Sequence, residues 1–424
     1  MIDLEKITSW AKRRGFVMPG SEIYGGINGI YDFGPYGVAL KNNIKKLWWQ
    51  TFVENRDDVV GIESGILMNR KVWQASGHEN SFTDVLVECK KCHQRFKADD
   101  LPEEDCPQGG KHELTEPKEF NTMFKAAETY LRPETAQGMF ADFKQVLEVT
   151  RKKIPFGIAQ IGKSFRNEIN TKDFLFRIRE FELAEIEYFV KPAEDEKFFD
   201  DWLKVWEDFV LSVGIKKENI VHHEHPKESL AHYSKRTVDI QYKFPFGLKE
   251  LAGVANRTDF DLRLHEKASG KDLKYFNMET KDKYWPYVVE PTIGIERLML
   301  AIICDAFEEC EPRTTTTDAV TEKEIVVHFN PVIAPIKVAV LPLVKKLSKK
   351  SKEIYTELAK YWGNIEYDET GSIGRRYRRQ DEIGTPFCVT IDFETLKDKK
   401  VTIRDRDTMK QKRVKITELK ELIK

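Results

Sequence analysis

Between Lys163 and Phe189 the chain reads KSFRNEINTKDFLFRIREFELAEIEYF. The pattern predicts two strands joined by a short loop, with arginines and glutamates where strands usually carry one or neither. Successive strand side chains point to opposite faces. Arg166 and Glu168 are thus predicted to share a face in the first limb, and Arg177, Arg179, Phe181, Leu183, Glu185 and Glu187 in the second. Phe174, Phe176, Ile178, Ile186, Tyr188 and Phe189 imply that the surroundings are buried. Buried charges cost several kcal/mol (roughly 3–5 when one partner is missing) unless they are paired or given a ligand. Two readings meet that demand: an internal ion-pair ladder, or a site for a ligand that is phosphate-bearing and partly cationic.

A second informative element is YVVEPTIGIERLMLAIICDAF (287–307). Glu290 and Thr292 fall on one face of a strand, Gly294 permits a turn, and a helix follows with apolar Ile295, Leu298, Met299 and Ile302. Arg297 lies in its first turn, where unpaired N–H groups and the helix dipole favour anions. YLRPETAQGMFADF (130–143) reads as strand, turn and helix, with Glu134 near the helix start. Strand character returns over 239–262, which carries Glu250, Arg257 and Asp259.

The remaining segments frame these. A short helix is predicted over 3–16, then a glycine- and aromatic-rich turn region over 21–37. A helix over 38–54 carries Trp48, which suits either a dimer surface or a core, and a strand is expected over 59–68. Residues 197–213 form an amphipathic helix through Phe199, Trp202, Trp206, Phe209 and Val213. The histidines of VHHEHPKESLAH (221–232) are spaced too irregularly to converge on a metal, so this segment is expected to be solvated and turn-rich. Cys89-x2-Cys92 and Cys106 offer three ligands of a zinc site. Gly109 stands where a second CxxC would place its last cysteine, leaving His93 or His112 to complete the set.

At 424 residues the chain is long enough for two or three domains. No apolar run approaches the ~18 residues of a membrane span. The opening MIDLEKITSWAKRRGF has no apolar stretch of a signal peptide, and six cysteines are too few and too uneven for a disulfide framework. A reduced, cytoplasmic setting is expected. Residues 331–424 hold 22 Lys and Arg against 14 Asp and Glu, a charge of +8 on a body of −9, which suggests that a polyanion docks at that end. The threonine-rich stretch 310–324 reads as a linker. Beyond it, strands near 336–341, 364–367, 386–393 and 400–404 alternate with helices near 343–361 and 374–382.

Taken together, YLRPETAQGMF, GKSFRNEI, FRIREFELAEIEYF, YKFPFG, ANRTDFDL, EPTIGIER and RRYRRQDEIGTPFCVT resemble the glycyl-tRNA synthetases of homodimeric type, within class II of the aminoacyl-tRNA synthetases, from about residue 5 to 420. The resemblance implies an α+β protein. An antiparallel catalytic sheet flanked by helices would occupy 1–325, with a cysteine-containing insertion at 88–120 and a helical insertion at 191–235. A C-terminal α/β anticodon-binding domain would follow at 326–424. The implied activity is ligation of glycine to the 3′ end of tRNA(Gly) through glycyl-adenylate, with ATP and Mg2+ consumed or bound, zinc in question, and a cytoplasmic homodimer as the assembly.

By the same resemblance Arg166 and Arg297 are the catalytic pair. Arg166, Asn167, Glu168, Phe176, Arg177, Ile178, Arg179, Glu180, Phe181, Glu250, Leu251, Gly294, Ile295, Glu296 and Arg297 would surround ATP. Lys97, Glu134, Phe181, Glu182, Leu183, Ala184, Glu185, Arg257, Glu290, Pro291, Thr292, Ile293 and Gly294 would surround glycine. The basic run Arg375, Arg376, Arg378 and Arg379 would meet the anticodon arm. Thr292 stands where the family usually has serine, and Lys97 where it commonly has arginine. An alternative from another class is a non-catalytic, synthetase-like accessory protein that binds nucleic acid. Such a protein would have no need of the arginines and glutamates found together here. A synthetase for another small amino acid is disfavoured by the three-glutamate socket.

Overall fold

The computed structural model describes residues 3–98, 101, 105–231, 233–313 and 323–423. The expected threonine linker lies for the most part outside these residues, as does the last histidine of the 221–232 segment.

The first unit is built on a seven-stranded sheet. Its strands are β1 (Val59–Gly61), β2 (Phe156–Phe165), β3 (Glu180–Val190), β4 (Ile220–Glu224), β5 (Arg236–Phe244), β6 (Gly247–Thr258) and β7 (Tyr287–Gly294), in the spatial order β4-β5-β6-β7-β3-β2-β1. Only β1 pairs in parallel, with β2; the other pairs are antiparallel. The period of two holds along β3: Ala184, Ile186 and Tyr188 enter the main core, while Phe181, Leu183 and Glu185 face the opposite side.

Helices cover the apolar face: α1 (Leu4–Arg13), α2 (Pro35–Trp49), α4 (Asp195–Ser212) and α6 (Ile295–Ala306). Helix α3 (Ala136–Thr150) and α5 (Phe260–Ser269) close the far end of the other face through Phe140, Phe143 and Leu262 on Phe156, Ile158 and Phe189. The near end of that face stays open and becomes the cleft. Glycine is required sterically in the first turn of α2: a Cβ on Gly37 would stand 1.8 Å from the Phe16 carbonyl oxygen. Trp48 is fully buried against Phe52 and Trp206, so this tryptophan is a core residue and carries no argument for a dimer surface.

Several expectations shift. The long central stretch is a strand, a loop and a strand. Arg166, Glu168, Arg177 and Arg179 all lie in the loop over 166–179, because the two limbs stop pairing at Phe165 and Glu180. The strand expected over 59–68 ends at Gly61. The segment after α4 is not turn-rich throughout: Ile220–Glu224 pairs with β5 as an exposed edge strand, so the 191–235 insertion is part helix and part sheet.

The C-terminal unit has a five-stranded sheet of β8 (Val338–Pro342), β9 (Ile365–Tyr367), β10 (Phe387–Ile391), β11 (Lys400–Asp405) and β12 (Gln411–Lys415), in the order β9-β8-β10-β11-β12. Helices α7 (Ser348–Trp362) and α8 (Ile373–Glu382) complete it. Strand Glu324–Val327 folds back on Phe307–Cys310, so a division at 325/326 passes through a paired strand. The units are joined by Tyr36 Oη to Glu366 at 2.9 Å and by Trp10 Nε1 donating to Glu382 O at 2.9 Å. No helix is long and apolar enough to cross a membrane among the described residues.

Candidate active site

The open end of the sheet holds a cleft of about 390 Å³. Its floor is Phe181, Leu183 and Glu185 of β3 with Thr292, Ile293 and Gly294 of β7; Glu250, Leu251 and Arg257 of β6 and Arg297 of α6 form one side. The loop between β2 and β3 overhangs it through Arg166, Glu168, Phe176, Arg177 and Ile178. Lys97, Glu134, Glu290 and Glu296 also reach it. Residues far apart in the chain therefore converge on one cavity.

One end is cationic. Arg166 donates its Nε to the Pro133 carbonyl at 3.1 Å, and its guanidinium lies 5.4 Å from the Phe181 ring and 5.5 Å from that of Phe82. Arg297 projects from the first turn of α6 and sits 4.4 Å above the Phe176 ring, with Nη1 3.0 Å from Glu250. That arginine, ahead of an opposing burial effect, holds the Glu250 carboxyl below its ordinary range. Gly294 lines the cleft with an ordinary φ of −79°, so the turn into α6 does not need glycine.

The other end is an acidic socket. Glu185, buried, accepts from Thr135 N at 2.8 Å, from Thr135 Oγ1, and from Thr292 Oγ1 at 3.1 Å. Glu134 lies 3.3 Å from His78 Nε2 and accepts from Gln137 at 3.0 Å. Arg257 is sealed beneath, gripping Asp261 at 2.8 and 3.0 Å and Glu290 at 2.9 and 3.0 Å. Burial opposes ionisation of Glu134, but His78, Arg257 and Gln137 outweigh it and hold this carboxyl well below the carboxylate range. Burial pushes Glu185 up, with the Glu134 charge adding to it. Burial also pushes Glu290 up, to about 8, against the pull of Arg257. The socket therefore holds more acid than the Arg257 guanidinium neutralises, and a small cation would complete it.

Seven of the expected contacts fall elsewhere. Glu182 and Ala184 have the wrong parity: Glu182 turns to Lys41 (2.7 Å) and Lys45 (3.1 Å), and Ala184 is in the core. Pro291 and Ile295 are buried away from the cavity. Glu180 pairs with Lys163 at 2.7 Å outside it. Arg179 donates to Glu168 O at 2.9 Å, and the Asn167 amide to Thr122 O at 2.7 Å, so both brace the overhanging loop. Sequence reasoning missed Leu175 and Tyr233, which line the cleft, and Thr135, which orients Glu185. Tyr233 packs its ring 4.1 Å from the Arg257 guanidinium and narrows the socket. Only the Thr135 position, one residue past Glu134 at a helix start, carried a signal, as a polar N-cap type.

Beside the cleft, Cys89, Cys92, Cys106 and His112 bring one donor atom each within 4.8 Å of one another. Cys89 and Cys106 sulfurs are 3.9 Å apart, and Cys92 Sγ is 3.7 Å from His112 Nδ1. His112 thus takes the fourth corner, while His93 points outward to Glu88. The cluster braces a three-stranded sheet (Thr83–Glu88, Arg95–Lys97, Lys118–Asn121) whose Lys97 reaches into the cleft, 2.7 Å from Asp84 and 3.5 Å from Glu168.

Residues 121–306 match the family described as tRNA synthetase class II core domain (G, H, P, S and T), and residues 337–424 match the anticodon binding domain. A glycine--tRNA ligase of Caldanaerobacter subterraneus subsp. tengcongensis is 50% identical, covering 99% of this chain and 97% of the relative. Another, of Geobacillus thermodenitrificans, is 49% identical over 99% and 97% of the two chains. Among solved structures, one titled as the RNA binding domain of threonyl-tRNA synthetase from Cryptosporidium parvum Iowa II superposes with a TM-score of 0.69 at 15% identity, covering 98% of this chain and 97% of that one, which speaks to the fold alone. With half of its residues shared across nearly its whole length, the chain belongs to the glycine--tRNA ligase family of the class II synthetases.

Proposed function

We propose that the protein activates glycine with ATP and transfers it to the 3′ end of tRNA(Gly). The observation that carries this is the polarity of one cleft, with arginines at one end and buried carboxylates at the other. A glycine carboxylate oxygen attacks the α-phosphorus of ATP, the bond to pyrophosphate breaks, and glycyl-adenylate forms. Both reacting groups, carboxylate and phosphate, are anionic, so donors aimed at the developing charge lower the barrier. Arg166 answers the carboxylate and α-phosphate, and Arg297 the far phosphates. The adenine stacks on Phe181, with Glu168 toward its amino group. Glu250 is the residue beside the phosphates that would hold Mg2+. The ammonium enters the socket of Glu134, Glu185 and Glu290. Tyr233 and the methyl of Thr292 crowd the α-carbon, and a clash discriminates more sharply than the ~1–3 kcal/mol an added methylene gains.

ATP–pyrophosphate exchange tests this reading. Glycine should drive it; equal exchange with alanine or serine overturns the specificity, and exchange with no amino acid favours the accessory-protein alternative. The division into a catalytic unit (1–325) and an anticodon-binding unit (326–424), and a homodimeric assembly, go with the same reading. The donor set at Cys89, Cys92, Cys106 and His112 suits tetrahedral zinc, whose closed structural sites include three thiolates with one imidazole. Zinc there would stiffen the sheet carrying Lys97, and metal analysis should return about one zinc per chain; a ratio near zero ends the idea.

A further inference from the structure

Glu187 stands two residues beyond Glu185 on the same face of β3, past the end of the cleft and against the small core formed by Phe140, Phe156, Ile158 and Phe189. Its side chain is fully buried, and neither carboxylate oxygen has a hydrogen-bond partner among the described residues. In the β3–β7 ladder Tyr188 faces Val289 and Glu185 faces Thr292. The same register sets Glu187 opposite Glu290. Two acids directly opposed on a buried sheet face repel unless one is neutral. The guanidinium that acts on it is already divided: Arg257 gives two bonds to Asp261 and two to Glu290. The charged groups facing Glu187 are Glu290 on β7, Arg257 on β6, Asp261 on α5 and Glu185 on its own strand. Three of those four are acids.

We propose that Glu187 and Glu290 hold one proton between them, resident on Glu187, and that this proton fixes the charge the socket presents to the glycine ammonium. Glu187 is then a positioning residue that acts through Glu290. Glu290, which accepts from Arg257, is the readier of the two to ionise; Glu187, with nothing to stabilise an anion, keeps the proton. The direction of the Glu187 titration, well above the ordinary carboxyl range through burial and then the Glu290 charge, agrees with this geometry. Removing the proton places an additional negative charge one strand position from the socket. The inference rests on the glycine-activating reading above.

The sign of the pH dependence follows. A carboxyl that stays protonated in the folded chain above its unfolded value, ~4.3, takes up a proton on folding. Its contribution is complete below that value and is lost as pH rises toward the folded one. Glu187→Gln copies the neutral carboxyl and titrates nowhere. Between pH 5.5 and 9, thermal unfolding of the full chain should therefore show the wild type losing stability relative to Glu187→Gln as pH rises. In glycine-dependent exchange at saturating ATP, the wild-type KM for glycine should fall with rising pH by on the order of tenfold, as the extra charge draws the ammonium in. In Glu187→Gln the fall should be shallower, leaving only the titration of Glu290 near 8. Equal pH slopes in both proteins, in both measurements, overturn the proposal. Should that variant not fold, infrared pH-difference spectra of the wild type and of Glu187→Met decide: a protonated-carboxyl band at neutral pH that Glu187→Met lacks supports it, and identical bands overturn it. If the wild type shows no glycine-dependent exchange while its unfolding still carries the pH signature, the functional reading falls and the proton pair stands.

Discussion

Arg166 and Arg404 are both arginines beside aromatic rings, but their partners differ. Arg166 is half-buried over Phe181 and Phe82, gives its Nε to a carbonyl, and faces the cleft. Arg404 is sealed at 2% exposure, 4.8 Å from the Tyr377 ring, with both terminal nitrogens on Asp381 at 2.8 Å. Arg376 and Arg406, also in the C-terminal unit, give donors to backbone carbonyls of Pro342, Leu343, Phe329 and Gly384, and Arg406 also pairs with Asp407 at 2.8 Å. A guanidinium saturated by its own protein is a structural cross-link. One aimed across rings into a cavity is held ready for an anion that the fold does not supply. Arginine content alone does not distinguish the cleft from the basic tail; what the donors already touch does.

The largest expected effect separates the two at once. Arg166→Ala should lower glycine-dependent exchange by on the order of 10²–10³, the range for losing one preorganised donor to transition-state charge. Its unfolding midpoint should move little, since a hydrogen bond to a carbonyl and two long ring contacts are lost and no buried charge is left unpaired. A large drop in stability with exchange intact would mean that Arg166 belongs with Arg404. The converse substitution, Arg404→Met, leaves Asp381 buried and unpaired. It should cost about 3–5 kcal/mol in urea unfolding. Exchange measured at low temperature should remain close to wild type, because nothing in the cleft touches Arg404.

Much of this contrast was legible in the chain. The mixture of arginine, glutamate and aromatics over 163–189 marked the cleft, and alternation placed Phe181, Leu183, Glu185 and Glu187 on one face. Applied strictly, that alternation would also have removed Glu182 and Ala184 from the site; a family motif carried over as a block does not respect the strand period. Alternating charge and aromatics at Arg177 and Arg179 mimic a strand, but pairing with β2 reaches no further than Glu180. Tyr233 and Leu175 enter the cleft by tertiary approach, which no local pattern encodes. His112 rather than His93 closes the cysteine set because His93 turns out at a positive φ of 59°. The last strand, Gln411–Lys415, was missed since QKRVK has a single buried position, Val414, and no apolar alternation.

The run Arg375, Arg376, Arg378 and Arg379 brings the comparison down to neighbours on one helix. Its mean character is basic, yet Arg376 is buried on carbonyls, Arg378 pairs with Glu324 and Arg379 with Asp368. Arg375 is the exposed member of the four. If a polyanion docks on this helix, Arg375 is the one whose charge it meets without first breaking an ion pair. Arg375→Ala should therefore raise the KM for tRNA a few-fold and lower the slope of log affinity against log salt by about one, as for a lost phosphate contact. Exchange, which needs no tRNA, should not change. Arg376→Ala should instead lower the unfolding midpoint before it alters the salt slope. If both variants shift the salt slope equally without loss of stability, then burial does not sort these arginines, and the contrast drawn between the two units fails within a single turn of helix.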